Sequence, residues 1–181
     1  SVLGLATGGT PKGFYQELVT SFKAGEISFA EAKTFNLDEY VGIAPENKVS
    51  YHYYMDNHLF NHIDMKRENI HVPTGNTANV EKSAADYDAA IEAAGGIDIQ
   101  LLGIGVNGHI GFNEPGTPFD IKTHIVTLKE STRKDNARFF NDNIDEVPTH
   151  AITMGIDTIM HAKKILVVAS GANKADAASG L

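Results

Sequence analysis

Short continuous apolar runs alternate along the chain with longer segments in which apolar residues return every three or four positions. The first kind reads as buried strand and the second as amphipathic helix. Residues 2–6 predict a strand. Thr10-Pro11 then opens a helix, with Thr as N-cap and Pro at the first helical position. Phe14, Tyr15, Leu18, Val19 and Phe22 form its apolar stripe, and Gly25 stops it. Residues 33–37 predict the next strand, ending at Asp38. Ser50 caps a helix reaching to about Ile63. Residues 69–72 predict a short strand, and Pro73-Thr74-Gly75-Asn76 a turn. Asn79 caps a long alanine-rich helix that stops at Gly95-Gly96, most simply a packing element. The run 97–104 is the strongest strand of the chain, and a glycine-rich loop follows from Gly105 to about Pro118. A strand over 123–128, a helix over 131–140, a strand over 165–169 and a helix from about Asn173 complete the pattern.

Strands that alternate with helices imply βαβ units and a mainly parallel sheet, hence an α/β fold. Such sheets bind ligands beyond the carboxyl ends of their strands. The loops after Ala6, Leu37, Ile104 and Ala169 should therefore share one edge.

The chain has 181 residues, of which 42% are hydrophobic and 21% charged, values that suit one globular domain with a sizeable core. Fifteen Lys and Arg against 23 Asp and Glu leave a net charge of −8. That balance argues against a broad nucleic-acid face or an anionic membrane as partner. An anionic ligand must then be held by local devices. There is no cysteine, which removes disulfides, thiol nucleophiles and Cys-ligated metal, and fits a cytoplasmic location. No apolar run approaches ~20 residues and no signal peptide is visible. The chain opens on Ser1 directly before a strand and ends at Leu181 inside a helix, so it reads as a piece of a longer protein, incomplete at both termini.

Three loops carry candidate chemistry. Thr7-Gly8-Gly9-Thr10-Pro11 joins a strand to a helix N-terminus, where backbone N–H groups and the helix dipole favour an anion. It is not a P-loop, because no Gly-Lys-Ser/Thr follows, and it reads equally as a capped turn. Asn36-Leu37-Asp38-Glu39-Tyr40 places two acids at a strand end. A desolvated carboxylate there can take a carbon-bound proton, although the pattern alone favours a turn with a solvated acidic pair. Gly103, Gly105 and Gly108 match G-x-G-x-x-G, but Gly111, Pro115, Gly116 and Pro118 forbid the helix a dinucleotide site requires. That loop offers His109 and Glu114 instead, a candidate acid/base pair. His58 and His62 have i,i+4 spacing, but no third ligand is evident, and the reading is no metal site. Lys174 follows the turn after the last strand, at the expected ligand edge. Arg138 lies in the predicted helix before it.

Together these segments resemble the glucosamine-6-phosphate deaminase family over nearly the whole chain. The resemblance rests on 5–11, 34–42, 105–115, 136–140 and 170–174, and Asn107-Gly108-His109 with Phe112-Asn113-Glu114-Pro115 is its most specific part. It implies a single three-layer α/β/α domain with a Rossmann-like sheet. It also implies conversion of glucosamine 6-phosphate and water to fructose 6-phosphate and ammonia, without metal or organic cofactor. By the same resemblance Asp38 is the base of enolisation, and His109, supported by Asn107 and Glu114, opens the sugar ring. Gly8, Gly9, Thr10, Arg138 and Lys174 hold the phosphate, and residues from about 124 to 153 form a mobile lid.

Two departures qualify the match. Many relatives carry Asp at the position of Asn107, and an amide stabilises an imidazolium less than an anion does. Hexameric allosteric relatives carry basic residues where this chain has His124 and Val126, so no activation by an N-acetylated sugar phosphate is expected, and the assembly should be a monomer or a low homo-oligomer. The nearest rival reading is a 6-phosphogluconolactonase, which needs no enolising base. A sugar-phosphate sensor without turnover is the other.

Overall fold

The structure is a computed structural model and describes residues 1–180. Five parallel strands form the central sheet: β1 (Val2–Leu5), β2 (Lys33–Asn36), β4 (Ile70–His71), β5 (Ile99–Gly103) and β8 (Ile165–Val168). Their spatial order is β4-β2-β1-β5-β8. Val2 to Leu5 run in register with Lys33 to Asn36, and Gln100 to Gly103 with Ile165 to Val168. The order reverses beside β1, so the loops after β1 and β5 part to leave a crevice.

Helices cover both faces. On one side α1 (Lys12–Lys23) and α2 (Tyr51–His58) bury Tyr15, Met55 and Leu59 against Leu5 and Leu101. On the other, α3 (Val80–Ala93) and α5 (Ile156–Met160) pack Tyr87, Ile91 and Ile159 on Phe35, Leu37 and Leu102. The α/β/α sandwich thus follows from the alternation of short apolar runs with segments of helical period. The caps at Ser50 and Asn79 form as expected, accepting from the Tyr53 and Lys82 amides. Thr10 does not cap α1. Pro11 takes the N-cap position, without a side-chain cap, and the Tyr15 amide donates to the Pro11 carbonyl. The helix therefore begins one residue later than the Thr-Pro signature predicts. Phe14, placed on the apolar stripe by spacing, is 40% exposed.

A second sheet departs from the expected all-parallel pattern. β3 (Asp38–Tyr40), β7 (His150–Thr153) and β6 (His124–Thr127) pair antiparallel in the order β3-β7-β6. The strand predicted at 123–128 belongs here and not to the central sheet. The chain passes from one sheet to the other at Leu37, whose amide still bonds Leu5 while its carbonyl accepts from Met154. The helix predicted over 131–140 is α4 (Glu130–Asn136) followed by a 3₁₀ turn, and the last helix is α6 (Ala175–Ser179) after another. Segment 124–153 thus holds β6, α4 and β7. Ala151, Ile152 and Thr153 of β7 are fully buried, and β7 is the central strand of its sheet. Asp88, on the alanine-rich helix, accepts from the Thr123 amide and from the Thr123 and Thr158 hydroxyls, tying α3 to β6 and α5. Among the described residues, no helix is long and apolar enough to cross a membrane.

Candidate active site

Where β1 and β5 end, a cavity of about 500 Å³ opens. Gly8, Gly9, Thr10, Asp38, Asn107, His109, Arg138 and Lys174 all line it, from loops after β1, β2, β5, α4 and β8. The loops expected to share an edge do so. Glu114 stands one hydrogen bond behind the wall.

Asp38 is set by the change of sheet at Leu37. It is 6% exposed, and no hydrogen bond reaches its carboxylate among the described residues. Burial, reinforced by the neighbouring Glu39, pushes its carboxyl up to about 8. Such a group is a strong base once it ionises. Its neighbour is not a solvated acid. Glu39 is 3% exposed and accepts from the amides of Tyr40, Tyr51 and His52, at 2.8, 3.1 and 3.0 Å. It therefore caps α2 from β3. Burial raises its pKa, and the three amides act against that rise.

His109 lies in the glycine-rich loop. A Cβ on Gly105 would stand 2.2 Å from the imidazole, so only glycine lets the ring settle on that backbone. The ring Nδ1 is 2.7 Å from Asn107 Oδ1, and Asn107 Nδ2 donates to Glu114 Oε2 at 2.7 Å. A carboxylate only accepts, so the Asn107 amide is turned with its oxygen toward the imidazole. His109 must then carry its proton on Nδ1 and present Nε2 as a base when neutral. Burial is the main influence lowering its pKa, while Glu114 raises it.

The loop is clamped to the second sheet. Asn113 is 2% exposed and donates to the carbonyls of Ile110 and Met154, and the Phe112 amide donates to Thr153 Oγ1. Gly111 passes between, with φ of 59°. A Cβ there would lie 2.9 Å from Thr153 Oγ1 and 3.4 Å from Asp38 Oδ2. The histidine loop thus runs directly beside the buried carboxylate.

At the other wall, Tyr15 hydrogen-bonds both the amide and the carbonyl of Ala6, and Tyr54 donates to the Gly8 carbonyl at 2.6 Å. These bonds fix the loop before α1. The amides of Gly8, Gly9 and Thr10 donate to no group among the described residues. With Arg138 and Lys174 on the same cavity, they form a cradle for an anion. Several lining residues were not singled out from the sequence: Tyr51, Ser131, Thr132 and Asp135. Their common trait is a place on α2 or α4, or on the aromatic cluster around Tyr40, which no local motif marks. Lys129, also unmarked, ion-pairs with Glu114 at 3.1 Å.

His58 and His62 do not form a site together. His58 rests on the Tyr54 ring, and His62 Nε2 meets the Asn57 carbonyl. No group of three or more His, Asp or Glu that could hold a metal occurs among the described residues.

Comparison with known proteins accords with this geometry. The family model for glucosamine-6-phosphate isomerases/6-phosphogluconolactonase matches residues 2–181. A glucosamine-6-phosphate deaminase of Oceanobacillus iheyensis is 59% identical over 97% of this chain and 70% of its own length. One of Lysinibacillus sphaericus is 58% identical over 98% of this chain and 74% of its own. The solved structure of a monomeric glucosamine-6-phosphate deaminase superposes with a TM-score of 0.96 at 50% identity, covering all of this chain and 75% of that one. A 6-phosphogluconolactonase of Thermotoga maritima shares the fold, with a TM-score of 0.74 at 16% identity over 98% of this chain and 73% of its own. A buried carboxylate, an oriented imidazole and an anion cradle around one crevice, together with these identities, place the chain in the glucosamine-6-phosphate isomerase/6-phosphogluconolactonase family, among its deaminases.

Proposed function

We infer that the protein is a glucosamine-6-phosphate deaminase, taking glucosamine 6-phosphate and water to fructose 6-phosphate and ammonia. The observation that carries this reading is Asp38, a buried carboxylate without a hydrogen-bond partner, facing the same cavity as the His109 relay. A lactonase has no use for such a base.

The phosphate is held by the amides of Gly8, Gly9 and Thr10 with Arg138 and Lys174, which supply local positive potential in a chain of net charge −8. His109 Nε2 takes the proton of the anomeric hydroxyl and delivers it to the ring oxygen, which breaks the C1–O5 bond and frees the aldehyde. Asn107 and Glu114 keep the imidazole in the required tautomer. Asp38 then removes the C2 proton while the substrate's own ammonium passes one proton to O1, giving a neutral enolamine, and Asp38 returns its proton to C1, leaving an iminium at C2. Water adds to that carbon, ammonia leaves, and the ketone of fructose 6-phosphate remains. In the last step the protons of the added water pass to the departing nitrogen, so iminium and water give ketone and ammonium.

The lid proposed over about 124–153 contains α4 and the turn after it. The Arg133 guanidinium donates to the carbonyls of Ile144 and Val147, which ties α4 to the turn that follows it. Its flanks, β6 and β7, are paired in the sheet. The solved relative described as monomeric supports a monomer here.

The test is ammonia release from glucosamine 6-phosphate. Asp38→Asn should lower turnover by about 10²- to 10⁴-fold with the fold intact by circular dichroism. Unchanged turnover removes Asp38 from its role. Hydrolysis of 6-phosphogluconolactone without ammonia release moves the protein to the lactonases.

A further inference from the structure

Lys129 stands at the root of α4, immediately before Glu130 and immediately after the last residue held by the antiparallel sheet, Leu128, whose amide bonds Thr149. Its backbone is extended, with φ of −62° and ψ of 148°, and its side chain caps nothing on α4. It reaches back to the glycine-rich loop instead, and Nζ donates to Glu114 Oε2 at 3.1 Å. That oxygen is the same one that accepts from Asn107 Nδ2 at 2.7 Å. One carboxylate oxygen thus joins the start of α4 to the amide that orients His109.

We propose that Lys129 is a positioning residue for the ring-opening relay, holding Glu114 against Asn107 and so coupling the seating of α4 to the state of His109. The proposal rests on the deaminase reading for its kinetic consequence, but the contact chain itself does not. The path runs from Arg138 and the α4 face that lines the cavity with Ser131, Thr132 and Asp135, through Lys129 and Glu114, to Asn107 and the imidazole. Phosphate drawing Arg138 inward would seat α4, and seating α4 sets Lys129 on Glu114. Glu114 is then pinned between two donors, and part of its charge is compensated by the ammonium.

The charge consequence has a definite sign. Four ionisable groups act on His109: Glu114 on its own loop, Lys174 after β8, Asp135 on α4 and Lys129. The two acids favour the imidazolium, and the two lysines oppose it. Removing Lys129 leaves Glu114 uncompensated, so His109 holds its proton to higher pH. Ring opening needs neutral His109, so the relay is ready only at higher pH when Lys129 is lost. The ion pair is partly exposed, with Lys129 at 56% and Glu114 at 24%, so the effect is moderate.

The experiment compares wild type, Lys129→Met, Lys129→Arg and Lys129→Met in a Glu114→Gln background. Thermal melts establish that each is folded, which the exposure of Lys129 favours. The His109 titration is followed by NMR in the free protein, and kcat and KM are followed across pH. Lys129→Met should move the His109 titration upward by about half a pH unit. It should lower kcat about two- to fivefold, with little change in KM. Lys129→Arg should restore both, and with Glu114 replaced by Gln the substitution should leave only the smaller direct effect of the lost lysine charge on His109. An unmoved His109 titration in Lys129→Met overturns the proposal, as does an effect of undiminished size without the Glu114 carboxylate. If the wild type releases no ammonia, the deaminase reading fails on its own, while the His109 titration still decides the role of Lys129.

Discussion

Asp38 illustrates how a single residue can be costly to the fold and useful to the chemistry. In the unfolded chain its carboxyl ionises near pH ~4. In the folded protein it is pushed up to about 8. Between those values the folded state binds the extra proton, so this residue's contribution to stability falls as pH rises from 4 toward 8. Asp38→Asn should therefore melt higher than wild type at pH 8, and the gap should close by pH 4. Melting curves at both pH values check it, and a gap independent of pH would show that the burial of charge is not the cause. Deaminase activity has the opposite trend, because the base works when ionised, and it should rise with pH on its way to about 8. The sequence marked Asp38 and Glu39 as one acidic pair. Only their surroundings separate a carboxylate with no partner from one that accepts from three amides.

At the level of elements, the short β3 decides more than its three residues suggest. Asp38 faces the cavity, Glu39 caps α2, and the Tyr40 hydroxyl accepts from Asn136 at the end of α4. Glu39→Ala would leave buried amides of Tyr40, Tyr51 and His52 without their acceptor. It should cost about 2 kcal/mol and lower Tm by roughly 4–8 °C. Denaturant and thermal unfolding measure this, and a loss no larger than that of an exposed glutamate would remove the cap from the account. The glycine-rich loop is similarly committed. Gly111→Ala forces a side chain into φ of 59° and against Thr153 Oγ1. It should destabilise by at least about 1 kcal/mol and depress activity, since the strain falls between the two proposed catalytic groups. β3 was not legible as a strand, because Asp-Glu-Tyr shows no apolar alternation. All three residues are nevertheless buried. β7 was missed for a related reason: it is four residues long, and its burial comes from lying between β3 and β6.

The whole molecule places its site where the strand order reverses, and a net charge of −8 does not prevent an anionic substrate from binding there. The relevant potential is local, from loop amides and two cations on one crevice. His124 and Val126, the positions expected to lack allosteric bases, lie on β6. Rate against substrate should therefore be hyperbolic and unmoved by added N-acetylglucosamine 6-phosphate. A sigmoidal curve that this ligand straightens would contradict the expectation. The sequence by itself determined the α/β class and the helix caps at Ser50 and Asn79, while the full set of site residues came from the family resemblance. These are local matters: hydrophobic period, cap chemistry and loop composition act within a few neighbouring residues. The tertiary structure alone decided the second, antiparallel sheet, the division of labour between Asp38 and Glu39, the tautomer of His109, and the reach of Lys129 to Glu114. Each depends on groups brought together from distant parts of the chain or on burial, and desolvation and hydrogen-bond direction exist only once those groups are in place.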